Sequence, residues 1–174
     1  MMEMPVSDIR TDEPLYQVLR IVRGTTVDGP GFRTAIYLAG CAHHCPGCHN
    51  PQSHDPGAGT SMTLSELMDV VDDEDFDVTL TGGDPLMRPD TLLPLMHSIR
   101  SHGHAIWLYT GYTWETIAAT PSLLEAASLA RVVVDGPFVL ALRDSDLLFR
   151  GSSNQRLVDV PRTLAQGRLV PYTP

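Results

Sequence analysis

The sequence contains no lysine: all 12 of its cationic side chains are arginine, and against 21 acidic residues they leave a net charge of −9. A chain this acidic is a poor binder of phosphate backbones, and no nucleic-acid partner is expected. The missing lysine itself reads as codon bias. No run approaches the ~18 consecutive apolar residues of a membrane-spanning helix, so no membrane role is expected. Residues 1–12 are acidic and lack the basic-then-apolar order of a secretory leader. The expected location is therefore the cytoplasm, where thiols stay reduced and open to metals. Aromatic residues are sparse at 6%, yet hydrophobic content reaches 43%, which is ordinary for a globular chain and argues against disorder. The 174 residues suffice for one domain that buries roughly 70% of its unfolded surface. The acidic bunch from Asp69 to Asp77 reads as a solvated helix end and turn, not as a metal site.

What is present alternates between strand-like and helix-like segments. Tyr16–Arg23, Thr34–Ala39, Phe76–Thr81, Ala105–Thr110 and Arg131–Asp135 are short and apolar and read as strands. Thr63-Leu-Ser-Glu66 has the form of a capping box opening a helix to about Val71. Leu92, Leu93, Leu95, Met96 and Ile99 give residues 89–101 a helical face, and 113–127 reads as helix interrupted by Pro121. This alternation predicts an α/β fold of βα units with a largely parallel, curved sheet. A closed eight-fold barrel needs about 250 residues, so an incomplete, open βα barrel is expected. Residues 51–62 read as a loop, and residues 161–174 as a tail with little regular structure.

Cysteine is the scarce residue that matters. Cys41, Cys45 and Cys48 are the only three, and all lie within Gly40-Cys-Ala-His-His-Cys-Pro-Gly-Cys-His-Asn50. Spacings of three residues and then two leave a four-metal cluster one protein ligand short, so one iron of an iron–sulfur cube would be open to a non-protein ligand. The loop follows a predicted strand, at the edge where α/β proteins place their active sites. Zinc is the rival, because Cys45 and Cys48 form a C-x-x-C pair with His43, His44, His49 and His54 nearby. A structural zinc site wants a second separated ligand pair, and none follows. Spacing therefore favours iron–sulfur over zinc, and zinc over inert thiols. A second candidate is the strand end Thr81-Gly82-Gly83-Asp84-Pro85, which on its own reads as a tight turn into the next helix.

The C-x3-C-x2-C loop followed by Gly82-Gly83-Asp84-Pro85 resembles the radical S-adenosylmethionine superfamily. Val27-Asp-Gly-Pro-Gly-Phe-Arg33 ahead of the cysteines resembles its activases of glycyl radical enzymes. Tyr109-Thr-Gly-Tyr112, Val134-Asp-Gly-Pro-Phe138 and Arg150-Gly-Ser-Ser-Asn-Gln-Arg156 narrow the resemblance to the activating proteins of anaerobic ribonucleoside-triphosphate reductase. It runs from about Tyr16 to Leu157. The resemblance implies a domain over 16–157, with an N-terminal extension over 1–15 and a C-terminal tail over 158–174.

It also implies a [4Fe–4S] cluster on Cys41, Cys45 and Cys48, with S-adenosyl-L-methionine chelating the open iron. Gly47, Cys48 and His49 would line the adenosylmethionine from the loop side, and Gly82, Gly83 and Asp84 from the other. The implied chemistry is reductive cleavage to a 5′-deoxyadenosyl radical, which takes hydrogen from a glycine of the large reductase subunit. A flavodoxin or similar one-electron donor would supply the electron. No acid–base residue of the protein is then needed. Two alternatives stay open. One keeps the cofactor and changes the substrate, as an activase of another glycyl radical enzyme or a small-molecule enzyme such as a deazapurine synthase. The other is a zinc-binding interaction module. Neither the role of Arg150–Arg156 nor that of the tail follows from the sequence.

Overall fold

The computed structural model describes residues 13–174, so most of the expected N-terminal extension lies outside the described residues. The strands are β1 (Leu15–Thr25), β2 (Arg33–Leu38), β3 (Thr60–Thr63), β4 (Asp77–Gly82), β5 (Ile106–Tyr109), β6 (Val132–Asp135) and β7 (Arg156–Asp159). The helices are α1 (Leu64–Glu74), α2 (Pro89–Ser101), α3 (Trp114–Ala119), α4 (Pro121–Ser128) and α5 (Val160–Gln166). Among the described residues the strands form one sheet in the order β3-β1-β2-β4-β5-β6-β7, with β3 and β7 as separate edges, so the sheet is open. Its centre, β2-β4-β5-β6, is parallel. Its flanks are not: β3 on β1, β1 on β2 and β7 on β6 are antiparallel. The expectation of a largely parallel sheet thus holds for the centre, and the sheet as a whole is mixed.

Period-2 alternation divides the strands between two cores. Ile36, Leu38, Val78, Leu80, Ile106, Leu108 and Val133 pack in one buried cluster with Leu67, Val71, Leu95, Met96 and Ile99 from α1 and α2. On the other face Trp107, Val132, Val134 and Leu157 form a smaller cluster, against which Tyr109, Phe149 and Tyr172 pack. Arg33 closes the end of this face remote from the cysteines. It is 4% exposed, and its Nε and Nη2 donate to Thr79 Oγ1 and the Val78 carbonyl, each at 2.8 Å. Desolvation pushes the Arg33 pKa down, and Asp77 opposes that shift.

The capping box forms as read: Glu66 N–H donates to Thr63 Oγ1 and Thr63 N–H donates to Glu66 Oε2. Helix α1 runs three residues past Val71 and stops where Asp75 turns left-handed, at φ 52°. Two expectations change. Residues 51–62 hold a 3-10 turn, Pro51–His54, and the edge strand β3. The C-terminal residues, expected to be weakly structured, contain α5 and then lie along the β7 edge. There Asp159 N–H donates to the Val170 carbonyl at 2.9 Å and Tyr172 N–H to the Leu157 carbonyl at 2.7 Å.

Candidate active site

The cysteine loop leaves the C-terminal end of β2, beside the ends of the other parallel strands. Gly40 turns the chain at φ 101°, and a Cys48 N–H bond to the Cys45 carbonyl at 3.1 Å folds the loop on itself. All three thiols are free and half-buried. Burial pushes the Cys41 thiol up, and the N–H groups of His43 and His44 oppose it. Among the described residues no three His, Cys, Asp or Glu side chains gather as ligands of a single ion. A cube that takes each thiolate on a different iron does not require such convergence.

Gly82 and Gly83 stand where the end of β4 meets the main chain of Tyr37–Gly40. Gly82 has φ 111°, and a Cβ there would strike the Leu38 main chain; one at Gly83 would strike the Gly40 carbonyl. Gly83 N–H donates to the Leu38 carbonyl and Asp84 N–H to the Gly40 carbonyl, each at 2.7 Å. Any side chain on either glycine would wedge β4 away from the cysteine loop, which alone accounts for glycine at both positions.

Asp84 is 3% exposed, and both of its oxygens meet protein donors. Oδ1 accepts from Leu86 N–H at 2.9 Å and caps the 3-10 turn Pro85–Met87. Oδ2 accepts from Thr110 Oγ1 at 2.9 Å, Gly111 N–H at 3.0 Å and His43 Nε2 at 2.6 Å. The bond to Asp84 raises the His43 pKa against the opposing effect of burial. Gly111 makes room for the ring, since a Cβ there would overlap the His43 imidazole. Tyr112 covers it edge-on at 4.7 Å between ring centroids. A second tie runs from Asn50 Nδ2 to the Gly82 carbonyl at 3.1 Å. The loop is thus fastened to the β4 end at both of its flanks. Nothing in the sequence pairs His43 with Asp84, 41 residues away, or assigns Asn50 a role; only their place among the cysteines marks them.

A cavity of about 310 Å³ opens on the inner face of the sheet, lined by Asp28, Tyr37, His49, Thr81, Tyr109 and Arg150 among others. This is within the range of small-molecule sites, ~300–1,000 Å³. Asp28 is held there by Tyr37 OH at 2.9 Å and Thr25 Oγ1 at 3.1 Å. Desolvation pushes the Tyr109 and Tyr37 hydroxyls up. A neighbouring cavity of about 360 Å³ is lined by Gly47 and again by His49. Of the six residues expected around a cofactor, His49 lines both cavities and Gly47 one. Cys48, Gly82, Gly83 and Asp84 line neither.

The wall of both cavities is the segment between β6 and β7, and its motif residues are fastened to one another. Gln155 Oε1 accepts from Gly151 N–H and Ser152 N–H at 2.9 and 3.2 Å, while its Nε2 donates to the Gly136 carbonyl at 3.1 Å. Asn154 Nδ2 donates to the Pro137 carbonyl at 2.8 Å. Arg156 bridges the fully buried Asp135 and the exposed Glu115. These polar side chains, which carried no chemistry in the sequence, hold the wall in place.

Residues 27–158 match the family model described as a 4Fe-4S single cluster domain. The chain is 36% identical over 140 residues to an anaerobic ribonucleoside-triphosphate reductase-activating protein of Escherichia coli strain K12, covering 74% of this chain and 89% of that one. It is 37% identical over 141 residues to the protein of the same name from Salmonella typhi, with the same coverage of 74% and 89%. The crystal structure of QueE from Escherichia coli aligns at TM-score 0.47 and 20% identity over 57% of this chain and 53% of that one, too partial a likeness to bear on function.

Proposed function

We propose a function from one premise: the chain belongs to the family of anaerobic ribonucleoside-triphosphate reductase-activating proteins, and it is an activating enzyme for that reductase. The observation that carries the reading is the loop of three free thiols, fastened at the mouth of the parallel strands beside Gly82–Asp84. The donor set fits a [4Fe–4S] cluster: three soft ligands that no disulfide consumes, with no fourth cysteine to fill the last iron.

Cys41, Cys45 and Cys48 would hold the cluster. Gly47 and His49 border the cavities that would receive S-adenosyl-L-methionine, with Cys48 in the same loop. Gly82, Gly83 and Asp84 would bound the site from the β4 side. The Asp84 carboxylate, the Gly83 and Asp84 N–H groups and the Gly82 and Asp84 carbonyls are engaged with protein partners, so we assign Asp84 to positioning and leave the Gly83 carbonyl for the cofactor. When bound, cluster and adenosylmethionine together supply the one-electron chemistry that creates a glycyl radical on the reductase. The chain's own part is to bind, orient and shield. Arg33 and Trp107 close the inner face at its far end, and the Gly136–Arg156 segment walls its side.

We read the open sheet as an incomplete βα barrel over residues 16–157, extended by 1–15 and with 158–174 packed on its last strand. An unclosed barrel suits a macromolecular substrate, because a glycine-bearing loop must reach the cluster from outside. The electron would come from a flavodoxin-like donor in the cytoplasm. No described helix is long and apolar enough to cross a membrane.

The test is anaerobic reconstitution with iron and sulfide, followed by dithionite and S-adenosylmethionine. Acid-labile sulfide matching iron, 5′-deoxyadenosine as product, and a radical on the reductase's glycine are expected. Bound zinc without sulfide would overturn the reading in favour of an interaction module. Product without a reductase radical would redirect it to another glycyl radical enzyme or a small molecule.

A further inference from the structure

The residue with the most telling contacts near the site is not a cysteine. Of the side chains between Cys41 and Cys45, His44 meets the His54 ring at 3.3 Å, whereas His43 reaches a carboxylate with 1% side-chain exposure. That carboxylate also receives Thr110 and Gly111 from the end of β5 and Leu86 from the turn after β4. Three chain segments, each following a different parallel strand, therefore converge on Asp84. Only the cysteine loop among them has no regular structure of its own to fix it. Gly111 lacks the Cβ that would exclude the ring, and Tyr112 stands edge-on against it.

We infer that His43 is a positioning residue, a latch that fixes the Cys41–Cys48 loop to the ends of β4 and β5 before any metal binds. Held this way, the thiols keep their spacing in the metal-free chain, and the cluster meets a site that is already shaped. Groups that orient metal ligands from outside the coordination sphere typically influence metal affinity by about 10–100-fold. The inference about cluster retention rests on the iron–sulfur reading; the inference about the metal-free loop does not.

Two variants of the full chain test it. His43→Ala removes the bond, whereas His43→Gln places an amide nitrogen at nearly the reach of Nε2 and keeps a donor for Asp84. In the metal-free protein, maleimide labelling of Cys41 should be at least about 10-fold faster in the alanine variant, the change in loop opening that matches one lost hydrogen bond to a charged group, and near the parent rate in the glutamine variant. The metal-free alanine variant should melt only a few degrees below the parent, the loss expected for one hydrogen bond, with glutamine near the parent. After reconstitution, the alanine variant should lose iron to a chelator about 10-fold faster or more, with glutamine restoring retention. Equal labelling in parent and alanine variant would overturn the latch. So would a glutamine variant as labile as alanine, or an alanine variant already unfolded at the labelling temperature, with all three cysteines labelled alike, which would make His43 a general folding residue. If the parent takes up no iron–sulfide at all, the activase reading fails, and the labelling arm still decides the latch.

Discussion

The cysteine loop and the Gly136–Arg156 segment hold matching places in the fold. Both carry motif residues, follow a strand of the parallel centre, and border the same cavities. Their side chains are used in opposite ways. In the segment after β6, Ser152, Asn154, Gln155 and Arg156 are all bonded to protein. In the cysteine loop, the two framework residues His43 and Asn50 are bonded inward, while the thiols form no disulfide and Cys48 Sγ accepts a single long bond of 3.4 Å from Asn50 N–H. A dense motif therefore marks a place where the backbone must be held. Whether that place also does chemistry depends on which groups remain after the holding is done.

The sharpest way to break the comparison is to exchange the consequences. Cys45→Ala should abolish cluster assembly and 5′-deoxyadenosine formation, leaving thermal melting of the metal-free chain unchanged; a large drop in melting would make the thiol structural. Gly82→Ala comes next, because it forces a side chain into the Leu38 main chain at φ 111°. It should destabilise by about 2–5 kcal/mol in urea unfolding, from clash plus backbone strain. Gln155→Ala should give the mirror image of Cys45→Ala. It strands two N–H groups and a carbonyl, so it should cost about 1–3 kcal/mol in the same assay while iron and sulfide uptake persists. A Gln155→Ala protein of parental stability that fails to activate the reductase would place that segment in chemistry or docking instead.

The smallest effect belongs to the surface end of the segment. Hydrogen bonding from Arg156 pulls the Glu115 carboxyl down to about 2. A carboxyl depressed in the folded state stabilises fully above its unfolded value, ~4.3, and loses that contribution as pH falls towards 2. Glu115 is 67% exposed, so after solvent screening Glu115→Gln should cost at most about 0.5 kcal/mol at pH 7. The difference between parent and variant should shrink between pH 4.5 and 2, as read by unfolding at each pH.

Local signals carried well. The capping box at Thr63–Glu66, the valines of β6 and the spacing of the three cysteines could all be read from neighbours in the chain, and each sits where the residues imply. What escaped was long-range. Strand β3 is three polar residues and Met62, none of them fully buried, and becomes a strand only by pairing with β1 across more than 40 positions. Helix α5 is seven residues with Pro161 in its first turn, too short for a period to show, and Asp159 caps it. The antiparallel flanks needed the order of the sheet, which no single segment encodes. In the site the same division holds: the three cysteines declare themselves by spacing. The partnership of His43, Asp84 and Thr110 exists only once three strand ends lie side by side.

The stretch that lies along β7 has a practical corollary. It occupies the backbone of Leu157 and Asp159 through Val170 and Tyr172, and Tyr172 lies edge-on to Trp107 at 5.5 Å. Shorten the chain ahead of Val170 and that row of donors and acceptors becomes a template on which a second molecule can dock its own strand. Read the other way, the same edge is an attachment point. A peptide supplied in trans to a shortened chain could replace the missing residues and carry a spectroscopic label to within one side chain of the inner face.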